Sequence, residues 1–329
     1  VLWGDRGDGP EPLISIDAGQ THSRFDWDRW STLVRTERYT TQARPLYTRL
    51  PFHYHRIPGT LRRLAAKALL SGQAPSVDSN SFPAFPIEQG LELVAHLLDP
   101  PAAPSSPPVV LTHDIDTGAG FGWVRQTAEI EFAHGFHSTW HVVGQGVPPD
   151  YAVLDWLVER GCQVGLHGYN HDNKLAFLPA DQIRRRFDAC RPLIDRYGIT
   201  CFRSPSWFRS PMLFEVARDY IQVDYSRLDT DRSCPGGRGG CLWTRPFTHD
   251  GLTHVPTTVP FEDPLYWGES PESLVDYWRQ KLEWLRACHG GIVVNTHPEP
   301  QFSGNARMLA AYDKLLDLLA EQQKPRVPA

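Results

Sequence analysis

Long hydrophobic runs are missing from this chain of 329 residues. No stretch approaches the ~20 consecutive apolar residues that a membrane-crossing helix needs, so a helical span is excluded. A surplus of basic residues is missing as well. Lys and Arg total 33 against 38 Asp and Glu, a net charge of -5. That balance gives no support to a nucleic-acid binder working by phosphate neutralisation. The 6 cysteines (Cys162, Cys190, Cys201, Cys234, Cys241 and Cys288) contain no Cys-x-x-Cys pair. Neither a cysteine zinc site nor a thioredoxin-like motif is therefore expected. No Gly-x-Gly-x-x-Gly follows the first strand of the alternating region and no Walker loop occurs, which argues against nucleotide folds.

What is present suits a globular protein, with 41% hydrophobic and 22% charged residues. A chain this long buries a core without metal or disulfide staples. The 29 prolines and 11 tryptophans suggest ordered loops and an aromatic-lined surface. Cys162 and Cys201 lie beside apolar runs and read as buried thiols. Cys234 and Cys241 flank Pro235-Gly-Gly-Arg-Gly-Gly240, a loop that a disulfide could close. No signal peptide is evident, and a start at Val1 without Met is what removal of a leader would leave.

Composition divides the chain into an N-terminal extension or accessory region, residues 1–107, and an alternating region, residues 108–329. The extension offers one strand candidate, Leu13–Ile16, a helix starting at Thr60 and a short helix over Leu91–Leu98. Pro100–Pro108 reads as a linker. Beyond it, seven strand candidates begin at Val109, His137, Gln163, Thr200, Gln222, Thr253 and Ile292. Helices fit between most of them, and Pro192 should kink or split the helix over Asp181–Tyr197. Strands alternating with helices predict an α/β fold with a parallel sheet, open or closed into a barrel.

Four strand ends carry chemistry. Val109-Val-Leu-Thr-His-Asp-Ile-Asp116 puts Asp114 and Asp116 on one face of a strand, where two carboxylates need a cation or a shared proton between them. Gly165-Leu-His-Gly-Tyr-Asn-His-Asp172 carries His167 and His171, whose spacing lets both imidazoles reach one metal ion. Asp172 either orients a ligand histidine or caps a turn. Arg203 follows a third strand and could hold an acid bidentately, and His297 ends a fourth. In parallel α/β folds that edge is where active sites form.

Together these motifs resemble the polysaccharide deacetylases, the NodB-homology domain of carbohydrate esterase family four. Thr112-His-Asp-Ile-Asp116, His167-Gly-Tyr-Asn-His171, Arg203-Ser-Pro205 and Asn295-Thr-His297 are similar to its successive motifs in order and spacing. The acids stand at i, i+2 rather than adjacent, as in an Asp-x-Asp branch. Gly168 stands where Ser or Thr is usual, and Ser206 where an aromatic is usual. The fourth motif is only echoed, by Asp224-Tyr225.

The resemblance implies a distorted (β/α)7 barrel, one divalent metal ion and hydrolysis of an N- or O-acetyl group on a sugar or glycan. Asp116, His167 and His171 would be the metal ligands, for zinc first, with cobalt, nickel or iron also compatible. Asp114 would be the base, Arg203 would fix it, and His297 would protonate the leaving amine. Trp207, Tyr169, Tyr266 and Trp267, with Trp243, are candidates to stack on sugar. His53 and His55 lack a neighbouring acid or cysteine partner. Other amides, such as a formamide or cyclic ureide, and an inactive glycan-binding barrel are the competing functions. Buried cysteines fit a reducing cytoplasm, whereas a glycan substrate fits a secreted or periplasmic setting.

Overall fold

The computed structural model describes residues 2–5, 10–17, 20–23, 26–39, 44–49, 85–98, 108–231 and 240–323. The helix expected from Thr60, His53, His55, Cys234 and most of the Pro100–Pro108 linker lie outside them. Strands β1 (Leu2–Asp5), β2 (Pro10–Asp17) and β3 (Gln20–Ser23) form an antiparallel meander. Only the middle one was legible in the sequence, because Gln20-Thr-His-Ser23 has no apolar residue to mark a buried face. Helices α1 (Trp27–Arg35) and α2 (Gly90–Leu98) complete the N-terminal part. Asp26 caps α1 by accepting from Arg29 N at 2.9 Å.

The alternating region begins with β4 (Val109–Ile115), α3 (Phe121–Ala133), β5 (Thr139–Val142), α4 (Tyr151–Glu159) and β6 (Gln163–Leu166). The helix containing Pro192 is split, as its ring requires, into α5 (Ala180–Ala189) and α6 (Arg191–Tyr197). Next come β7 (Cys201–Phe202), α7 (Pro211–Ala217) and β8 (Val223–Asp224), then the β9 (Phe247–His249) and β10 (Leu252–His254) hairpin. The chain ends with β11 (Val259–Pro260), α8 (Leu274–Ala287), β12 (Ile292–Thr296) and α9 (Ala306–Gln323). The first turn of the helix expected from Pro271 is 3₁₀, with Ser270 and Ser273 forming a capping box.

The sheet order is β11-β12-β4-β5-β6-β7-β8-β10-β9, with every pair parallel except β9 with β10. The run from Leu252 to Pro260 closes the barrel. Its first half, β10, pairs with β8, and Thr257 bridges to Leu228. Its second half, β11, pairs with β12. Counted this way there are seven barrel strands, the seven marked in the sequence, and the fold is the distorted (β/α)7 barrel.

Strand periodicity then sorts the side chains. Leu111, Trp140, Leu166 and Phe202 are buried in the two main apolar clusters with helix residues such as Leu154, Trp278, Leu282 and Leu315. Thr112, Asp114, His141, Gly165, Arg203 and Asn295 carry the opposite parity and line the interior. The described N-terminal residues rest on loops that follow the barrel strands. Arg44 lies over the Phe177 ring, Glu37 pairs with Arg209 and Arg227, and Tyr39 Oη donates to Gly240 O. Among the described residues, no helix is long and apolar enough to cross a membrane. Cys162, Cys190, Cys201 and Cys241 are free, buried thiols, so the reading of Cys162 and Cys201 holds.

Candidate active site

Ladder register builds the floor of the site. Asp114 on β4 is the Cα partner of His141 on β5, and His141 of Gly165 on β6. All three therefore sit in one row of the barrel interior. A Cβ on Gly165 would come within 2.5 Å of His141 Cδ2, so the glycine makes room for this imidazole. His141 Nδ1 lies 3.3 Å from Asp114 Oδ1. Burial, with the charge of Arg203 nearby, lowers the His141 pKa to about 4, so its ring is neutral at pH 7.

Arg203, at the end of β7, is completely buried. Its guanidinium donates to Asp114 Oδ1 at 2.8 Å, to Thr112 Oγ1 at 2.8 Å, to Thr257 Oγ1 at 3.2 Å and to Tyr225 O at 3.2 Å. It also donates to Asn295 Oδ1. These contacts draw on four other strand ends, which a planar fork can serve at once. Burial alone would push the Asp114 carboxyl upward. Arg203, His167 and His141 override that and hold it well below the usual carboxylate range. Asp114 Oδ2, the oxygen turned from Arg203, lies 3.4 Å from Asn295 Nδ2 and 3.8 Å from His297 Nε2.

Above this floor, Asp116 Oδ1 lies 3.2 Å from both His167 Nε2 and His171 Nε2. One donor atom from each of the three residues falls within 4.8 Å of the other two. His167 Nδ1 faces Arg203 O at 3.0 Å. A carbonyl only accepts, so Nδ1–H donates there and Nε2 is the nitrogen turned to Asp116. Asp116 Oδ1 and His167 Nε2 are buried without a hydrogen-bond partner. Two possible ligand atoms left unsatisfied 3.2 Å apart fit a divalent cation held beside them. Burial opposes charge on Asp116, yet His171 and His167 hold it well below the usual range. The ligand loop is fixed by Gly168, at φ +66, where a Cβ would press on Pro205 Cδ at 2.7 Å. That contact accounts for glycine in place of Ser or Thr.

His297 follows β12. Its Nδ1 lies 2.8 Å from Glu262 Oε2, and its N–H donates to Glu262 Oε1 at 2.8 Å. Burial lowers the affinity of this ring for a proton, but Glu262, Asp116 and Asp114 outweigh it and raise the pKa well above the ordinary histidine value. Glu299 is buried and accepts from Asp116 N at 2.8 Å and Thr117 N at 3.0 Å. Burial and the nearby Asp116 charge raise its pKa to about 8.

The structure thus brings together Asp114, Asp116, His167, His171, Arg203 and His297. Trp207 joins them, with its ring centroid 4.8 Å from the Arg203 guanidinium. Tyr266 is 41% exposed and reaches the site through Phe302, whose ring stands 6.2 Å from Tyr266 and 5.4 Å from His297. Trp267 ends the 3₁₀ turn Asp263–Trp267, and its side chain is outside the described residues. Tyr169 differs from expectation: its ring is taken up by Arg186 at 5.1 Å and by the core. Trp243 is held between Arg35 at 5.5 Å and Arg245 at 4.3 Å, far along the extension's contact. Asp172 takes the turn-capping alternative, accepting from Lys174 N and pairing bidentately with Arg186. Asp224 is committed to His254 at 2.8 Å, while Tyr225 covers His141 and Arg203.

His141, Glu262 and Glu299 escaped sequence reasoning. Glu262 carried the same signal as the others, an acid just past a strand end, but Phe261–Trp267 reads first as an aromatic loop. His141 has the inward parity of β5 yet sits mid-strand, where a histidine usually only packs.

Residues 102–223 match the family model for polysaccharide deacetylase. No curated protein matches the sequence. Among solved structures, a protein from Mycobacterium smegmatis described as a polysaccharide deacetylase superposes with a TM-score of 0.55 at 19% identity, over 68% of this chain and 89% of that one. A CE4 family pseudoenzyme from Bacillus anthracis gives 0.47 at 18% identity, over 67% and 63%. A family 4 carbohydrate esterase from Streptomyces lividans, in complex with acetate, gives 0.44 at 18% identity, over 68% and 97%.

Proposed function

We propose that the chain, whose residues 102–223 match the family model for polysaccharide deacetylase, is a metal-dependent hydrolase removing an acetyl group from an N-acetylated sugar or glycan. The observation that carries this reading is the convergence of Asp116 Oδ1, His167 Nε2 and His171 Nε2, with two of these atoms buried and unpaired. A divalent ion held by these three residues, zinc first by its taste for two imidazoles and a carboxylate, would supply a Lewis acid for the acyl oxygen and acidify water.

The chain's own residues do the rest. Asp114 is ionised at neutral pH, and its Oδ2 is the oxygen open to take a proton from attacking water. Arg203 and His141 hold its Oδ1, so the carboxylate cannot rotate away. As the new C–O bond forms and the C–N bond breaks, the amine needs a proton. His297, kept protonated by Glu262, donates it from Nε2, and Asp114 and His297 face each other across 3.8 Å. The products are acetate and a free amine. Trp207, and Tyr266 with Phe302, give the rim aromatic faces suited to sugar rings.

Elemental analysis of the purified protein, beside Asp116→Ala and His167→Ala, tests the reading together with acetate release from an N-acetylglucosamine oligosaccharide. One transition metal per chain, lost in both variants, and acetate from the wild type are expected. A wild type without metal after reconstitution with zinc or cobalt would overturn the mechanism.

A further inference from the structure

A second buried charge cluster lies where the N-terminal segment meets the barrel. Helix α1 ends in a Schellman turn: Arg38 N donates to Leu33 O at 2.9 Å and Glu37 N to Val34 O at 2.8 Å. The residue in the left-handed position is Glu37, at φ 61. Glycine fits that position without strain, so a glutamate there is retained at a conformational cost. Its carboxylate is buried and accepts from Arg209 Nε at 2.5 Å, from Arg209 Nη2 and from Arg227 Nη1 at 2.6 Å.

Arg209 passes this contact on. Its Nη1 donates to Trp207 O at 2.7 Å. Ser206 and Trp207 are themselves strained, with φ 51 and 58 on consecutive residues that are not glycine. Such a pair is costly and persists only when its surroundings impose it. The turn is held by Trp207 N donating to Ser204 O at 3.0 Å and by the fork of Arg209, which is itself held by Glu37 and by Asp231 Oδ2 at 3.4 Å. The strained pair sets the Trp207 ring against the Arg203 guanidinium at the mouth of the site.

We propose that Glu37 is a positioning residue for substrate: through Arg209 it fixes the Trp207 carbonyl and so aims the Trp207 ring at a sugar of an extended acetylated glycan. The N-terminal segment is then a working part of the binding groove. The choice of ligand rests on the deacetylase reading, but binding can be measured without turnover.

The test is calorimetric titration of chelator-treated, full-length protein with an N-acetylglucosamine pentasaccharide. One aromatic stack is worth about fivefold in Kd. Glu37→Gln keeps the shape and loses the charge, and about that weakening is expected. Trp207→Ala should weaken binding similarly, and should add little in the Glu37→Gln background. Equal Kd for wild type and Glu37→Gln, or fully additive losses, would overturn the proposal. Should Glu37→Gln fail to fold, Arg209→Lys keeps the charge, loses the fork and is expected to weaken binding equally; an unchanged Kd there also overturns it. Wild-type binding with no acetate released by the zinc-reconstituted protein would refute deacetylation alone. Acetate release with an unchanged Glu37→Gln Kd would refute positioning alone, and no wild-type binding would refute both.

Discussion

Replacing Arg203 by lysine keeps the charge and removes the fork, which separates geometry from electrostatics. The guanidinium contacts five acceptor groups, on Asp114, Asn295, Thr112, Thr257 and Tyr225. An ammonium has three donors on a shorter reach, so at least two of these bonds are lost and their acceptors stay buried. At about 1 kcal/mol per bond, plus the penalty for unsatisfied groups, the loss is about 2–4 kcal/mol. That corresponds to a fall in Tm of about 3–6 °C for a chain of 329 residues. Asp114 would lose its lock on Oδ1, and a displacement of about 1 Å at a reacting group costs about 100-fold in rate. Metal content should stay at the wild-type level, because Arg203 is not among the proposed ligands. Thermal unfolding, metal analysis and acetate-release kinetics on one preparation read all three. A Tm within about 2 °C of wild type with unimpaired turnover would refute the claim that the fork organises the base.

Glu262→Gln removes the carboxylate that raises the His297 pKa. In the wild type this pair stabilises the fold fully below the unfolded histidine pKa of about 6.5, and the effect fades as pH rises through the higher folded value. The variant should therefore lose more stability at pH about 6 than at pH about 9, and the alkaline limb of its rate profile should move down; a limb that stays in place would show that another group is titrating. Asp116→Asn and His171→Ala should each lose bound metal and turnover together, whereas Asp114→Asn should lose turnover with metal retained, checked by elemental analysis beside acetate release. Gly165→Ala would drive a methyl into His141 and Cys201, 2.5 and 2.9 Å from the new carbon, and should destabilise the fold by about 1–3 kcal/mol in denaturant titration; a neutral result would mean the row Asp114–His141–Gly165 is loosely packed.

Much of this architecture was legible because β-strand chemistry is local. The seven barrel strands are apolar runs bounded by helices, and residues at their tips such as Asp116, His167 and His297 stand out as polar groups at a fixed place. The closure of the barrel was not legible. It depends on Thr257 bridging to Leu228 between two two- or three-residue strands, which no periodicity marks. Nor were the fates of the aromatic residues. Trp207, Trp243 and Tyr169 look alike in sequence and each carries an arginine over its ring; only tertiary packing decides that the arginine on Trp207 is Arg203 of the site. His141 and Glu262 were hidden for a related reason: their importance lies in partners 27 and 35 positions away. Glu37 lies in a segment whose role emerges only where it touches the barrel loops.

The seam at Thr257 has a kinetic meaning. The run that closes the barrel pairs with β8 through few residues, and the same Thr257 hydroxyl accepts from Arg203 Nη2 at 3.2 Å. Breathing of the barrel at this short seam is therefore felt directly by the arginine that holds Asp114. Amide hydrogen exchange along Leu252–Pro260 and loss of catalysis under mild denaturant should follow one opening event, ahead of global unfolding. In such a molecule activity serves as a gauge of whether the cylinder is shut.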